Sequence, residues 1–99
     1  MPRFIATDEP QNIADGIIFY YSPNCPYCKT VLPMVNNLEN VVSPDTPLYA
    51  AEGKGLNKTV PALEYKKNGK VESRVNDSTL FEQYINRLCM VSRNNYLFC

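Results

Sequence analysis

Six consecutive residues, Gly16-Ile17-Ile18-Phe19-Tyr20-Tyr21, run on without a charged side chain to mark a wet face. A strand with one solvated side alternates apolar and polar residues. A continuous run of β-formers instead reads as an inner strand covered on both sides, the situation of a parallel sheet. From Pro26 to about Val42 the period changes to that of a helix, with Val31, Val35, Leu38 and Val42 four, three and four residues apart. Pro33 lies inside this helix and removes the bond to the Lys29 carbonyl, so a kink is expected there. Leu48-Tyr49-Ala50-Ala51-Glu52 supplies the next strand. Strand, helix and strand then form one right-handed parallel unit.

The flanking segments extend that unit. Phe4-Ile5-Ala6 reads as a short first strand. Residues 7–16 carry helix signals: Thr7 or Asp8 as N-cap, Pro10 in the first turn and Gly16 as terminator. Residues 59–75 read as a hairpin. A two-residue loop at Asn68-Gly69 would set Tyr65 opposite Glu72 and Leu63 opposite Arg74, mixing apolar and charged residues. A three-residue loop, Lys67-Asn68-Gly69 with Gly69 left-handed, sets Tyr65 opposite Val71 and Leu63 opposite Ser73, and is the expected register. The last helix is capped by Asp77 or by the box Thr79-Leu80-Phe81-Glu82, with Phe81, Tyr84, Ile85, Leu88 and Cys89 on one stripe. The expected order is β-α-β-α-β-β-α, an α/β fold with helices on both faces of a mixed sheet. It forms one domain, residues 1–99, with a body over 1–91 and a tail over 92–99.

Composition excludes several function classes. Ten Lys and Arg balance ten Asp and Glu, so no overall field attracts nucleic acid or an anionic membrane. No apolar run approaches the ~20 residues that span a bilayer. Lys54, Lys58, Lys66, Lys67 and Lys70 interleave with Glu52, Glu64 and Glu72, which reads as a solvated surface. A monomer is expected. The opening residues lack the apolar core of a secretory signal, so a reducing, cytoplasmic setting is expected. In such a compartment a cysteine pair is more often catalytic or metal-binding than a permanent staple.

That pair is Cys25 and Cys28, placed where the inner strand ends and the long helix begins. Pro26 suits the first helical position and leaves the amides of Tyr27 and Cys28 free to point at the Cys25 sulfur. A thiolate is the anion such a site favours, so Cys25 is the expected nucleophile. Cys28, one turn on and more buried, is the expected resolving thiol: it attacks a mixed disulfide on Cys25 and releases the substrate. Zinc usually wants four ligands at paired spacing, and with no histidine the remaining candidates, Cys89 and Cys99, lie ten apart at the far end of the chain. Cys89 reads as a core residue, with a disulfide to Cys99 as the alternative. Tyr27, between the thiols on an exposed turn, is placed to stack on a substrate.

These residues carry a resemblance. Cys25-Pro26-Tyr27-Cys28 at a helix start resembles the dithiol motif of glutaredoxins. The longer pattern CPYCKTVLP, with Lys29 and Pro33, is similar to that of thioredoxins. Thr59-Val60-Pro61 resembles the loop that in both families sets a cis-proline beside the cysteines, and YKKNGKV resembles the thioredoxin hairpin. The resemblance spans residues 4–91. It implies a thioredoxin fold and disulfide oxidoreductase activity, with disulfide-containing proteins or glutathione as partners. It implies no bound cofactor or metal, only an electron donor: glutathione, or thioredoxin reductase with NADPH. It also implies that Thr59, Val60 and Pro61 line the substrate groove, with the Val60 backbone pairing to an extended guest. Three departures stand out. Thioredoxins carry a buried acid where this chain has Phe19 and a Trp where it has Asn24; glutaredoxins carry a glutathione-gripping pair where it has only Val75-Asn76-Asp77-Ser78. The competing reading is a thioredoxin-fold binding or assembly module with a permanent Cys25–Cys28 disulfide.

Overall fold

In a computed structural model of the chain, residues 3–53 and 59–95 are described, 89–95 by their backbone alone. Five strands form one mixed sheet: β1 (Ile5–Ala6), β2 (Gly16–Tyr21), β3 (Leu48–Glu52), β4 (Ala62–Lys67) and β5 (Lys70–Val75). Their order across the sheet is β1-β3-β2-β4-β5. β2 is flanked by β3 on one side, parallel, and β4 on the other, antiparallel. The unbroken apolar run thus occupies the centre of the sheet, as its composition requires. The crossover between β2 and β3 is helix α1 (Pro26–Val41), and helix α2 (Phe81–Asn95) follows β5. The backbone of α2 continues to Asn95, into the segment read as a tail.

Alternation along β2 divides the core. Ile17 and Phe19 point to the face covered by α1 and α2, where they meet Val31, Val35, Leu38, Leu63, Phe81, Ile85 and Leu88. Tyr21 lies on the same face, its ring stacked 6.0 Å from that of Phe19. Arg3 closes the far end of α1: its guanidinium donates to the carbonyls of Glu39, Val42, Ser43 and Thr46. The last helical carbonyls are the groups that lack partners within a helix, and a cation suits them.

The opposite face differs from expectation. Residues 7–16 make a single 3-10 turn, Pro10–Asn12, and no α-helix. Ile13 is the one large apolar residue between Thr7 and Gly16. No stripe exists to bury, and so short a helix is marginal without one. Gly16 opens β2 with φ 131°, where an added Cβ would meet the Pro47 carbonyl oxygen at 2.7 Å. The expected terminator is instead a site of close backbone approach. Both α-helices therefore lie on one face. The other face, with Ile18, Tyr20, Ala51 and Ala62 at its centre, is covered among the described residues by the segment around the 3-10 turn.

Side-chain and backbone ties hold that segment down. Lys66 Nζ donates to the Pro10 and Gln11 carbonyls at 3.4 Å each. The Gly69 amide donates to the Ala14 carbonyl at 3.0 Å, and the Asn68 amide to Asp15 Oδ1 at 3.0 Å. Lys66 and Glu64 are consequently buried, not part of the solvated surface that the charge pattern suggests. Glu64 accepts from the Tyr20 hydroxyl at 3.1 Å and lies 4.0 Å from Arg74. A buried carboxylate needs such partners to remain tolerable.

The hairpin matches neither register considered from the sequence alone. Asn68 and Gly69, both with positive φ, make a two-residue loop, pairing Lys67 with Lys70 and Lys66 with Val71. The register then shifts between Lys66 and Tyr65, so that Tyr65 faces Ser73, Glu64 faces Arg74 and Leu63 faces Val75. Glu72 is the extra residue of a bulge. The shift removes the mixed faces that made a two-residue loop unattractive: buried Leu63 meets buried Val75, and Glu64 meets its counterion.

Candidate active site

β2 ends at Tyr21, and a turn closed by the Cys25 amide on the Ser22 carbonyl (3.1 Å) leads to the start of α1. Cys25 is the N-cap of α1, in extended conformation, with Pro26 as the first helical residue. The amides of a first helical turn have no partner within the helix. Of the two amides expected to address the sulfur, that of Cys28 does so, donating to Cys25 Sγ at 3.1 Å. Cys25 is half-buried and Cys28 is buried, at 6% exposure, one turn behind it. The first cysteine is the more exposed of the two; the second is nearly closed off from solvent.

Cys28 borders an apolar cavity of about 260 Å³, with Phe19, Tyr21, Pro23 and Leu32 in its walls and no carboxylate among them. Phe19, where the resemblance would place a buried acid, is itself 1% exposed. Burial first, and hydrogen bonding with Cys25 second, pushes the Cys28 thiol up from 9.0 to about 11. Burial also pushes the phenols of Tyr20, Tyr65 and Tyr84 upward.

These shifts have a sign. A thiol whose folded-state pKa is raised favours the fold while neutral. Its contribution is complete below the unfolded value near 9.0 and lost as pH rises through about 11. The tyrosines, also raised by burial, add to the loss above pH ~10. Reduced protein is expected to lose urea stability progressively above pH 9. Cys28→Ala should flatten the part of that decline between pH 9 and 11; an unchanged slope in the variant would contradict the burial argument.

Beside the thiols runs a groove of about 480 Å³, lined by Tyr27, Val60, Pro61 and residues 76–79. The Val60–Pro61 peptide is cis. Tyr27 is 63% exposed. Thr59 is exposed next to the groove but is not one of its lining residues. Asp77 caps the 3-10 turn Ser78–Leu80: its Oδ1 accepts from the Thr79 amide at 2.9 Å and the Thr79 hydroxyl at 2.7 Å. These donors hold its carboxyl below the usual carboxylate range. The alternative cap, the Thr79 box, is not used.

Asn76, Ser78 and Thr79 were not singled out by the sequence as lining the groove, although the signal was present. In an antiparallel hairpin the end of β5 lies beside the start of β4, here Val75 opposite Leu63. The residues after β5 must therefore come back beside Val60 and Pro61. Among the described residues no group of three or more His, Cys, Asp or Glu side chains converges as a metal site would require. The side chain of Cys89, and Cys99 altogether, lie outside the described residues.

No family model matches the chain and no curated protein matches it in sequence. Solved structures match it in three dimensions. Thioredoxin f from spinach chloroplast, in its short form, gives a TM-score of 0.69 at 14% identity, covering 92% of this chain and 94% of that one. A chain from the complex of ferredoxin:thioredoxin reductase with thioredoxin f2 gives 0.68 at 18% identity, covering 92% and 96%. Thioredoxin O2 from Arabidopsis thaliana, in its oxidised state, gives 0.61 at 15% identity, covering 87% and 94%. The chain has the α/β thioredoxin fold, a five-stranded mixed sheet with flanking helices, and carries a CxxC pair at the start of α1.

Proposed function

We propose that this chain is a thiol–disulfide oxidoreductase that reduces disulfides of proteins, or mixed disulfides of glutathione, through Cys25 and Cys28. One observation carries the reading: an accessible sulfur at a helix N-cap receives the amide of the very residue whose buried thiol stands behind it. Cys25, as thiolate, attacks one sulfur of the substrate disulfide. That S–S bond breaks, and its electron pair leaves on the other sulfur, which takes up a proton. Cys28 then loses its proton and attacks Cys25 Sγ, freeing the second substrate thiol. Two electrons and two protons have passed from the dithiol to the substrate, and a Cys25–Cys28 disulfide remains.

The groove beside the dithiol supports this reading by offering an open course for an extended guest past Tyr27, Val60 and Pro61. Thr59, exposed and next to Val60 in sequence, is proposed to meet the same guest. The CPYC sequence speaks for glutathione as donor. The fold's likeness to a chain from the complex of ferredoxin:thioredoxin reductase with thioredoxin f2 speaks for a dedicated protein reductase as donor. A reducing compartment such as the cytoplasm is the setting in which the dithiol form would persist. The test is turnover: NADPH consumption with insulin or hydroxyethyl disulfide as acceptor, supplied through glutathione and glutathione reductase or through thioredoxin reductase. Consumption in at least one system is expected. None in either, with protein whose thiols are intact, would refute the reading.

A further inference from the structure

Among the described residues, the groove carries a carboxylate with no Lys or Arg beside it in the lining. Asp77 Oδ1 is engaged by Thr79, while Oδ2 accepts no hydrogen bond from the described residues. The carboxylate is exposed and ionised at neutral pH, and no Lys or Arg occurs among the described residues lining the groove. In the same lining the Tyr27 ring is 63% exposed. A free anion and an open aromatic face in one groove form a combination that attracts a cation, by ion pairing and by the ring's quadrupole. Glutathione suits it poorly. That tripeptide brings two carboxylates and one ammonium, so two of its three charges meet no Lys or Arg among the described residues of this lining. A polypeptide with a basic side chain close to its half-cystine finds both features.

We propose that Asp77 and Tyr27 make this groove select protein disulfides flanked by Lys or Arg, and disfavour glutathione disulfide. The proposal rests on the oxidoreductase reading and names its substrate class. The chemistry is the dithiol–disulfide exchange already balanced above; the groove alters how often the guest is held where Cys25 can attack.

The test is single-turnover exchange of reduced protein with three disulfide peptides that differ in one residue beside the half-cystine, Lys, Gln or Glu, and with glutathione disulfide. Each rate is divided by that of the same disulfide with dithiothreitol, which removes its intrinsic reactivity. The Lys peptide is expected to react about 3- to 30-fold faster than the Gln peptide. The Glu peptide and glutathione disulfide should both be slower than the Lys peptide, and the spread should narrow as salt is raised. Asp77→Asn keeps an oxygen to cap the turn and should bring the Lys-to-Gln ratio within about twofold. Tyr27→Leu, which leaves that cap alone, should lower the same ratio. Equal normalised rates in wild type, a ratio untouched by both variants, or glutathione disulfide as the fastest substrate would overturn the proposal alone. Failure to exchange with any disulfide would overturn the oxidoreductase reading and this proposal with it.

Discussion

Cys25→Ser is expected to lose reduction of both insulin and hydroxyethyl disulfide, by more than about a thousandfold. The hydroxyl that replaces the thiol is not ionised at neutral pH and has no exchange chemistry with a disulfide. The effect should be local, because Cys25 is half-buried and its structural duty is to accept one amide, that of Cys28. Serine is among the best N-cap residues, so α1 should start as before. Cys28→Ser separates the routes. It leaves the nucleophile but removes the resolving thiol, so a protein substrate should accumulate as a mixed disulfide on Cys25, detectable by mass. A small glutathione-linked substrate can still be released by a second external thiol. Activity surviving in Cys25→Ser would dispose of the mechanism.

The second large effect is on stability. Phe81 is fully buried at the first position of α2, in the core cluster that also holds Phe19, Leu63 and the inner stripe of α1. Phe81→Ala should cost about 3–5 kcal/mol, from lost transfer energy and the cavity left behind. Against the roughly 5–15 kcal/mol of a typical domain that is a large share. Urea unfolding should show a lower midpoint with an unchanged slope. A loss under about 1 kcal/mol would mean that α2 does not lean on the sheet through this ring.

What the sequence disclosed followed from periodicity. β2 and α1 were legible because a six-residue apolar run and a stripe at Val31, Val35 and Leu38 each have one physical reading, and the N-cap position of Cys25 followed from their junction. The segment 7–16 misled because its cap and Pro10 are start signals, which mark where a helix can begin but not whether it has a face to bury. The hairpin misled for a different reason. Its turn favours two residues while its faces favour another register, and a bulge at Glu72 satisfies both at the expense of one unpaired residue. Local patterns do not announce such a compromise. Glu64 and Lys66 looked like surface charges because their burial depends on Tyr20, Arg74 and the Pro10 turn, which are far away in sequence. The groove was half legible: Tyr27 and Val60-Pro61 from motif, residues 76–79 only from strand pairing.

The proposed chemistry requires that Cys25 and Cys28 form a couple that cells can both oxidise and reduce. Equilibrating the protein in graded glutathione or dithiothreitol redox buffers, then acid-quenching, alkylating and weighing it, measures that directly. The expected result is a two-electron transition between free Cys25 and Cys28 and their disulfide, at roughly −270 to −180 mV. A pair that stays oxidised below about −300 mV would instead be a structural staple, and a pair that forms no disulfide at any potential would leave the proposed chemistry without its product.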